Sequence, residues 1–210
     1  MVLPLYLAMS AVEMRPIPHP AFLVLEGSEV PPPGVLPVIT DAFPLDRQTL
    51  LRLCQGREAV VLDFEHPPTV EVRAMIRNLP CPAAAPPGYA DEGPVFLPPA
   101  PLHMPLEEYL SPWKGREIWL EAALQRQQTA ITAEGAAVFP PCTNTDFEGG
   151  FYSEKLQCRF LQNFSENRAV FTLFDTPETL RIKLNRAAEL GVTRAVGLFQ
   201  ELGEKHMSTY

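Results

Sequence analysis

Residues 59–66 read AVVLDFEH, an apolar run that ends in two carboxylates, Asp63 and Glu65. The run is continuous rather than alternating, which predicts a strand buried on both faces, as in a parallel sheet covered by helices. Seven other short apolar runs are spread along the chain, and most share this character. They are LPLYLAMS (3–10), AFLVLEG (21–27), GVLPVITD (34–41), VFLP (95–98), EIWLEAA (117–123), AVFTLFD (169–175) and RAVGLFQE (194–201).

Helical patterns fall between several of these runs, so that strand, helix and strand recur at the spacing of β/α units. Each pattern has an apolar face, and the first and third also begin with a residue suited to cap the amino end. The three patterns are PLDRQTLLRLCQG (44–56), capped by Asp46, PPTVEVRAMIRNLP (67–80), and DTPETLRIKLNRAAELG (175–191), capped by Asp175 or Thr176.

About eight strand candidates in 210 residues predict an α/β fold, a small (β/α)8 TIM-like barrel. At this length the barrel must be incomplete in its connections, with short loops and some helices missing or abbreviated. We expect a single domain over residues 1–210, and an open doubly wound sheet is the alternative. The stretch TAITAEGAAVFPP (129–141) departs from the pattern and predicts a hairpin that turns near Glu134 and Gly135.

Composition, charge and the absence of certain motifs limit the partners, cofactors and location expected for the protein. Hydrophobic residues make up 46% of the chain, and the formal net charge is -8 without any basic run. We therefore expect neither nucleic acid nor an anionic membrane as a partner, while the sequence leaves the oligomeric state open. The four cysteines stand in no C-x-x-C pair, which favours reduced, mostly buried thiols. The absence of targeting signals favours a cytoplasmic protein, and the absence of a phosphate-binding loop favours a protein without a cofactor.

The predicted barrel suggests a functional role for these acids, because the carboxyl ends of the strands form the functional face of this fold. Asp63 and Glu65 are two residues apart, so we expect their side chains to share a side and their repulsion to raise at least one pKa. A carboxylic acid that stays protonated at neutral pH is suited to general acid catalysis. The alternative is that Arg or Lys side chains from neighbouring elements pair with both acids.

Other strand ends supply candidates for contact with a substrate. Trp119 and Glu121 share one side of a strand, which suits a sugar, because the ring can stack on C–H groups while the carboxylate accepts from hydroxyls. Phe199 and Glu201 are predicted to stand in the same relation on the last strand. The alternative for Trp119 is a place in the core. The predicted substrate-binding residues are Asp41, Trp119, Glu121, Phe199 and Glu201.

VVLDFE (60–65) resembles the D-x-D-x-E strand of glycoside hydrolase family 18, the chitinase-like enzymes. The segment FDTPETLRIKLNRAAELGVTRAVGLFQELG (174–203) resembles the last helix and closing strand of the same family. The resemblance implies a short, divergent TIM barrel in which Glu65 protonates the glycosidic oxygen. It also implies that Asp63 orients the substrate's N-acetyl group, which acts as the nucleophile.

The sequence departs from that family at two positions. Val61 stands where the family has another aspartate, with Glu58 as the nearest earlier acid, and Phe199 stands where a tryptophan is common. Val61 cannot share a proton with Asp63. The first hypothesis is therefore a glycoside hydrolase-like protein that acts on an N-acetylated or related saccharide. The alternative is an inactive member that binds saccharide or only keeps the fold, and a hydrolase that uses the same acids on another substrate is a third hypothesis.

Overall fold

A computed structural model describes residues 3–144 and 149–207. Eight parallel strands form a nearly closed barrel in which neighbours in the barrel are also neighbours in the chain, and the last strand pairs with the first. The α/β TIM-like barrel is therefore confirmed over the open sheet. The barrel strands are β1 (Leu5–Met9), β2 (Pro20–Val24), β3 (Leu36–Thr40), β4 (Val60–Asp63), β5 (Ala83–Ala84), β6 (Val95–Leu97), β7 (Ile118–Ala122) and, after an inserted sheet, β14 (Val192–Leu198).

The barrel is weakest between β5 and β6, where one parallel bridge joins Ala85 to Val95. The Phe96 N–H donates to the Ala85 carbonyl oxygen at 2.8 Å across this seam. β5 has only two residues because Pro82 and Pro86 flank it and cannot donate to a strand ladder. No apolar run marks this segment, and apolar runs therefore do not predict this strand.

The chain between β7 and β14 contains an antiparallel sheet that the barrel pattern does not require. Its strands are β8 (Gln125–Thr132), β9 (Gly135–Val138), β10 (Cys142–Thr143), β11 (Phe151–Ser153), β12 (Cys158–Ser165) and β13 (Arg168–Phe174). The predicted hairpin is confirmed, since β8 and β9 pair with Thr132 opposite Gly135.

The prediction that AVFTLFD (169–175) forms a barrel strand is wrong. This run lies in β13, which pairs antiparallel with β8 and β12. Leu173 and Phe174 point to opposite faces of the sheet, and both are buried. A continuous apolar run indicates that a strand is buried on both faces. This end of β13 is buried in that way, as a barrel strand is. The run does not indicate whether the strand pairs parallel or antiparallel with its neighbours.

Helices follow β3, β4, β6, the inserted sheet and β14, whereas the described connections after β1, β2 and β5 contain none. Abbreviated connections were expected at this length. The helices are α1 (Arg47–Cys54), α2 (Val70–Arg77), α3 (Leu106–Leu110), which continues into a 3-10 turn (Ser111–Trp113), α4 (Pro177–Glu189) and α5 (Phe199–Met207). Within the described ranges, no helix is both long enough and apolar enough to cross a membrane.

Two caps illustrate how the sequence sets the helix boundaries. The Asp46 carboxylate accepts from the Thr49 N–H at 2.8 Å and begins α1 as predicted. Thr176 begins α4 through a reciprocal capping box with Thr179. Asp175, the other candidate for that cap, is instead buried and accepts from the Lys183 ammonium at 2.7 Å.

The core has one layer inside the barrel and others between the strands and the helices. All eight barrel strands or their immediate flanks contribute to the inner layer. Its buried members are Ala8, Ala21, Leu36, Val38, Ala59, Val61, Ala84, Phe96, Trp119 and Val196. Because this layer fills the middle of the barrel, a ligand can be received at the ends of the barrel but not through it.

Candidate functional site

Two acids project toward the inside of the barrel from the carboxyl ends of β4 and β7. Val61 on β4 and Trp119 on β7 both belong to the inner layer of the core. Side chains two residues apart on a strand point to the same side, so Asp63 and Glu121 continue these two rows toward the carboxyl end. Since the barrel strands are parallel, both acids arrive at the same end of the barrel.

The electrostatics of Glu121 indicate that several carboxylates meet there. Its pKa is raised to about 7, because burial disfavours the charged form and because the charges of Asp63, Glu201 and Glu65 add repulsion. The pKa of Asp63 is also raised, first by burial and then by Glu65 and Asp41. The expected rise of at least one pKa in the Asp63–Glu65 pair is confirmed, although burial is the larger cause. Glu121 is therefore partly protonated near neutral pH.

Glu65 lies just beyond the end of β4, and its backbone is held by Asp41 from the end of β3. The Asp41 carboxylate accepts from the Glu65 N–H at 3.1 Å and from the His66 N–H at 2.9 Å. It also contacts Nδ1 of the exposed His66 ring at 2.8 Å. Burial would raise the pKa of Asp41, but these hydrogen bonds outweigh it and lower the pKa. Asp41 thus fixes the loop that carries the exposed Glu65 side chain.

Glu201 and Phe199 do not stand as predicted. β14 ends at Leu198, and both residues lie on α5, where positions two apart point in different directions. The prediction of a shared side on the last strand is therefore wrong. Glu201 accepts from the Thr143 hydroxyl at 2.8 Å and adds its charge to the field at Glu121. Phe199 is 8% exposed, and the Arg15 guanidinium lies 4.6 Å from its ring centroid.

Trp119 lies deeper in the barrel than Glu121. It is 1% exposed, and its Nε1–H donates to the Glu117 carboxylate at 2.8 Å. The Arg194 guanidinium covers the ring at 4.5 Å from the centroid. Glu117 precedes β7 and Arg194 lies near the start of β14, so these contacts are at the amino end of the barrel. The ring consequently offers no exposed face beside Glu121.

Among residues 3–144 and 149–203, whose side chains the structure describes, no Lys or Arg forms an ion pair with Asp63, Glu65, Glu121 or Glu201. The alternative in which basic side chains neutralise Asp63 and Glu65 is thus not found in this part of the chain. These four acids, the carboxylate cluster, are the candidate site. In the same part of the chain, no three His, Cys, Asp or Glu side chains are grouped as ligands of a metal ion.

Two tyrosines next to the cluster were not predicted from the sequence. Tyr109 of α3 has a raised pKa because it is buried and because the charge of Glu121 is near. Its hydroxyl donates to the Pro98 carbonyl oxygen at 2.8 Å. Burial and the charge of Asp41 raise the pKa of Tyr89, which packs edge-on against Phe64. Neither tyrosine lies in a motif, and only the folding of separate segments brings them to this end of the barrel.

Comparisons with known proteins do not identify the function of the chain. No family model matches the chain, and no curated protein matches it at a significant level. Among solved structures, the chain matches the spore cortex-lytic enzyme SleL of Bacillus cereus with a TM-score of 0.46 and 10% sequence identity, over 93% of this chain and 70% of SleL. A match at this level bears on no residue of the carboxylate cluster, which must be interpreted from its own geometry.

Proposed function

We propose that the protein is a glycoside hydrolase-like protein that acts on an N-acetylated or related saccharide at the carboxylate cluster. The observation that carries the proposal is the convergence of Asp63, Glu65, Glu121 and Glu201 without a basic partner among the described side chains, together with a pKa of about 7 at Glu121. Glycosidic cleavage needs a carboxylic acid that is protonated near neutral pH next to a carboxylate that is ionised. Sugars, moreover, present hydroxyls that carboxylates can accept from.

Glu65 is the proposed general acid, following the resemblance to glycoside hydrolase family 18. Its side chain is exposed, so it can reach the oxygen of a leaving group, and the hydrogen bonds to Asp41 fix its backbone. Asp63 would orient the N-acetyl group of the substrate. Glu121 is partly protonated and would donate a hydrogen bond to a sugar oxygen or to Asp63.

Hydrolysis of a chromogenic N-acetylglucosamine oligomer tests this proposal. We expect Glu65→Gln to lower kcat/KM by on the order of 10²–10⁴, the usual contribution of a general acid, while the thermal midpoint stays unchanged. Glu121→Gln should retain turnover but lose any inflection near pH 7 in the pH–rate profile. Retained turnover in Glu65→Gln would remove Glu65 from the role of acid, and a matching loss in Glu121→Gln would assign that role to Glu121.

A second candidate function is saccharide binding without catalysis. It is favoured by Val61, which is fully buried in the inner layer and places an apolar side chain where a proton partner of Asp63 would stand. It predicts that N-acetylglucosamine oligomers raise the thermal midpoint without forming products. Asp63→Asn should abolish that response. If the wild-type protein shows neither hydrolysis nor stabilisation by these oligomers, both saccharide hypotheses fall, and a purely structural role or a hydrolase with another substrate remains.

A further inference from the structure

Two of the four cysteines are brought together at the amino end of the barrel. All four thiols are free. Cys54 is the last residue of α1 and leads into β4, and Cys81 leads from α2 into β5. β4 and β5 are parallel neighbours, and the Val60 N–H donates to the Pro82 carbonyl oxygen at 3.0 Å between the two approaching segments. The topology therefore places both cysteines at the same end of adjacent strands.

The two cysteines lie in the same hydrophobic cluster. Cys54 is fully buried among Leu50, Leu53 and Ile76, and Cys81 packs against the same hydrophobic cluster. The two side chains are close enough that each shifts the pKa of the other. No other pair of cysteines in the described part of the chain combines neighbouring strands with a shared hydrophobic cluster.

The two cysteines differ in access and in protonation. Cys81 is half-buried and lines a surface cavity together with Arg77, Asp91 and Gly93. Its interaction with the Cys54 thiol lowers the pKa of Cys81, with help from the charge of Arg57. The interaction with Cys81 and burial raise the pKa of Cys54. Cys81 is thus the more accessible of the two sulfurs and the one that ionises first, and Cys54 is the buried sulfur behind it.

We propose that Cys54 and Cys81 form an oxidative modification site, which hydrogen peroxide converts to an intramolecular disulfide. The Cys81 thiolate attacks one peroxide oxygen, the O–O bond breaks, and hydroxide leaves, so that Cys81 becomes a sulfenic acid. The Cys54 sulfur then attacks the Cys81 sulfur, the S–O bond breaks, and the departing hydroxide takes the Cys54 proton as water. In sum, two thiols and one peroxide give one disulfide and two waters, and a dithiol reductant reverses the change.

The disulfide would close a ring that contains β4 and α2, and with them Asp63 and Glu65. Cross-linking the two ends of this segment restricts the unfolded chain, so the oxidised protein should have the higher thermal midpoint. The modification site depends only on the cysteine pair and its surroundings, and it stands whether or not the carboxylate cluster cleaves saccharides.

Peptide mapping after exposure of the full-length protein to hydrogen peroxide tests the proposal. After alkylation of the remaining thiols and digestion with trypsin, we expect peptide 53–57 joined to peptide 78–114, lighter than their sum by two hydrogen atoms. Cys142 provides an internal control, because it is exposed but its thiol donates to the Arg126 carbonyl oxygen at 3.6 Å. The Cys81 thiol should be lost on the order of tenfold faster than the Cys142 thiol.

Variants assign the two roles. Cys81→Ser should give no cross-link and leave Cys54 unmodified, whereas Cys54→Ser or Cys54→Ala should leave a Cys81 sulfenic acid that dimedone traps. Cys142→Ser should cross-link as the wild-type protein does. Oxidation of Cys142 ahead of Cys81 without a 53–57 to 78–114 cross-link in the wild-type protein would overturn the proposal, and so would a cross-link that survives Cys81→Ser.

Discussion

The two ends of the barrel handle their charged groups in opposite ways. At the amino end, Arg194 covers the ring of Trp119, and its guanidinium donates to the Glu58 carboxylate at 3.0 Å. The indole N–H in turn donates to Glu117. At the carboxyl end, the carboxylate cluster has no basic partner among the described residues, and the pKa values of Asp63 and Glu121 are raised.

The difference bears on which end stabilises the fold and which end is available for chemistry. The paired charges and the filled core at the amino end are explained by their contribution to the stability of the fold. Unpaired carboxylates in a partly buried place reduce stability, because repulsion and burial act on them together without compensation. Such an arrangement at the end of the barrel that carries the functional loops is the physical reason for placing the candidate site there.

The largest expected effect is on stability at the amino end. Trp119→Ala should lower the free energy of unfolding by about 3–5 kcal/mol, because it empties the inner layer of the core and removes the surface that Arg194 covers. Urea denaturation measures this loss. Trp113→Ala is the matched control, since Trp113 is only partly buried, and its cost should be clearly smaller. A cost below about 1 kcal/mol for Trp119→Ala would contradict the structural role given to this residue.

The next effect has the opposite sign and concerns the carboxyl end. The native protein holds a proton on Glu121 between pH 4.5 and about 7, where the unfolded chain has released it. The free energy of unfolding should therefore fall as the pH rises through this interval. Glu121→Gln removes the ionisable group and should stabilise the protein at pH 8 by about 2–3 kcal/mol relative to the wild-type protein.

Urea denaturation of both proteins between pH 4 and pH 9 checks the sign. The gain from Glu121→Gln should be nearly absent at the acidic end of the range and present above pH 7. Equal pH profiles for the two proteins would mean that Glu121 has an ordinary pKa, and the carboxylate cluster would then lose its main electrostatic support.

A smaller effect should distinguish Asp41 from Asp63 and Glu121, because the Asp41 carboxylate is stabilised by hydrogen bonds whereas burial and repulsion act on the other two. Asp41→Asn should lower the free energy of unfolding by about 1–2 kcal/mol, since an amide cannot accept all the hydrogen bonds from Glu65 and His66. The pKa of Asp41 is lowered in the fold, so this contribution is present above pH 3.8 and disappears as the pH falls further.

Denaturation at pH 7 and pH 3 measures the Asp41 contribution and its loss. Asp91→Asn is the matched control, because Asp91 forms only an exposed ion pair with Arg77. A stabilising effect of Asp41→Asn at pH 7 would place Asp41 with the repelled acids and would remove its role in holding Glu65.

Most of the barrel could be predicted from apolar runs, and the exceptions have physical causes. β5 was missed because a strand of two alanines between prolines has neither an apolar run nor a ladder of donors to reveal it. β13 was placed in the barrel because burial on two faces gives the same pattern in a parallel and an antiparallel sheet. The total of eight barrel strands was right, although one run was assigned to the wrong sheet.

The sequence predicts which side of a strand each candidate residue faces, but not how far along the barrel axis the residue lies. Trp119 and Glu121 do share a side of β7, as the spacing of two requires. Two residues along a strand span about 7 Å, however, and this separates a ring in the packed middle of the barrel from a carboxylate near its end. Contacts between segments, such as those of Asp41 with the loop after β4, follow from strand order and register, which single-strand patterns do not report.

The smallest expected effect is that of Glu58→Gln. It tests whether an acid that is paired with a basic side chain at the amino end has little effect on the free energy of unfolding. The Glu58 side chain is 84% exposed, so its ion pair with Arg194 should contribute less than about 1 kcal/mol. Arg194 remains over Trp119 after the substitution, and the free energy of unfolding should change little at any pH between 5 and 8. The same substitution at Glu121 should change it by more and with the opposite sign. Equal effects of the two substitutions would mean that a carboxylate has the same effect on stability at either end of the barrel. The electrostatic difference that supports the candidate site would then disappear.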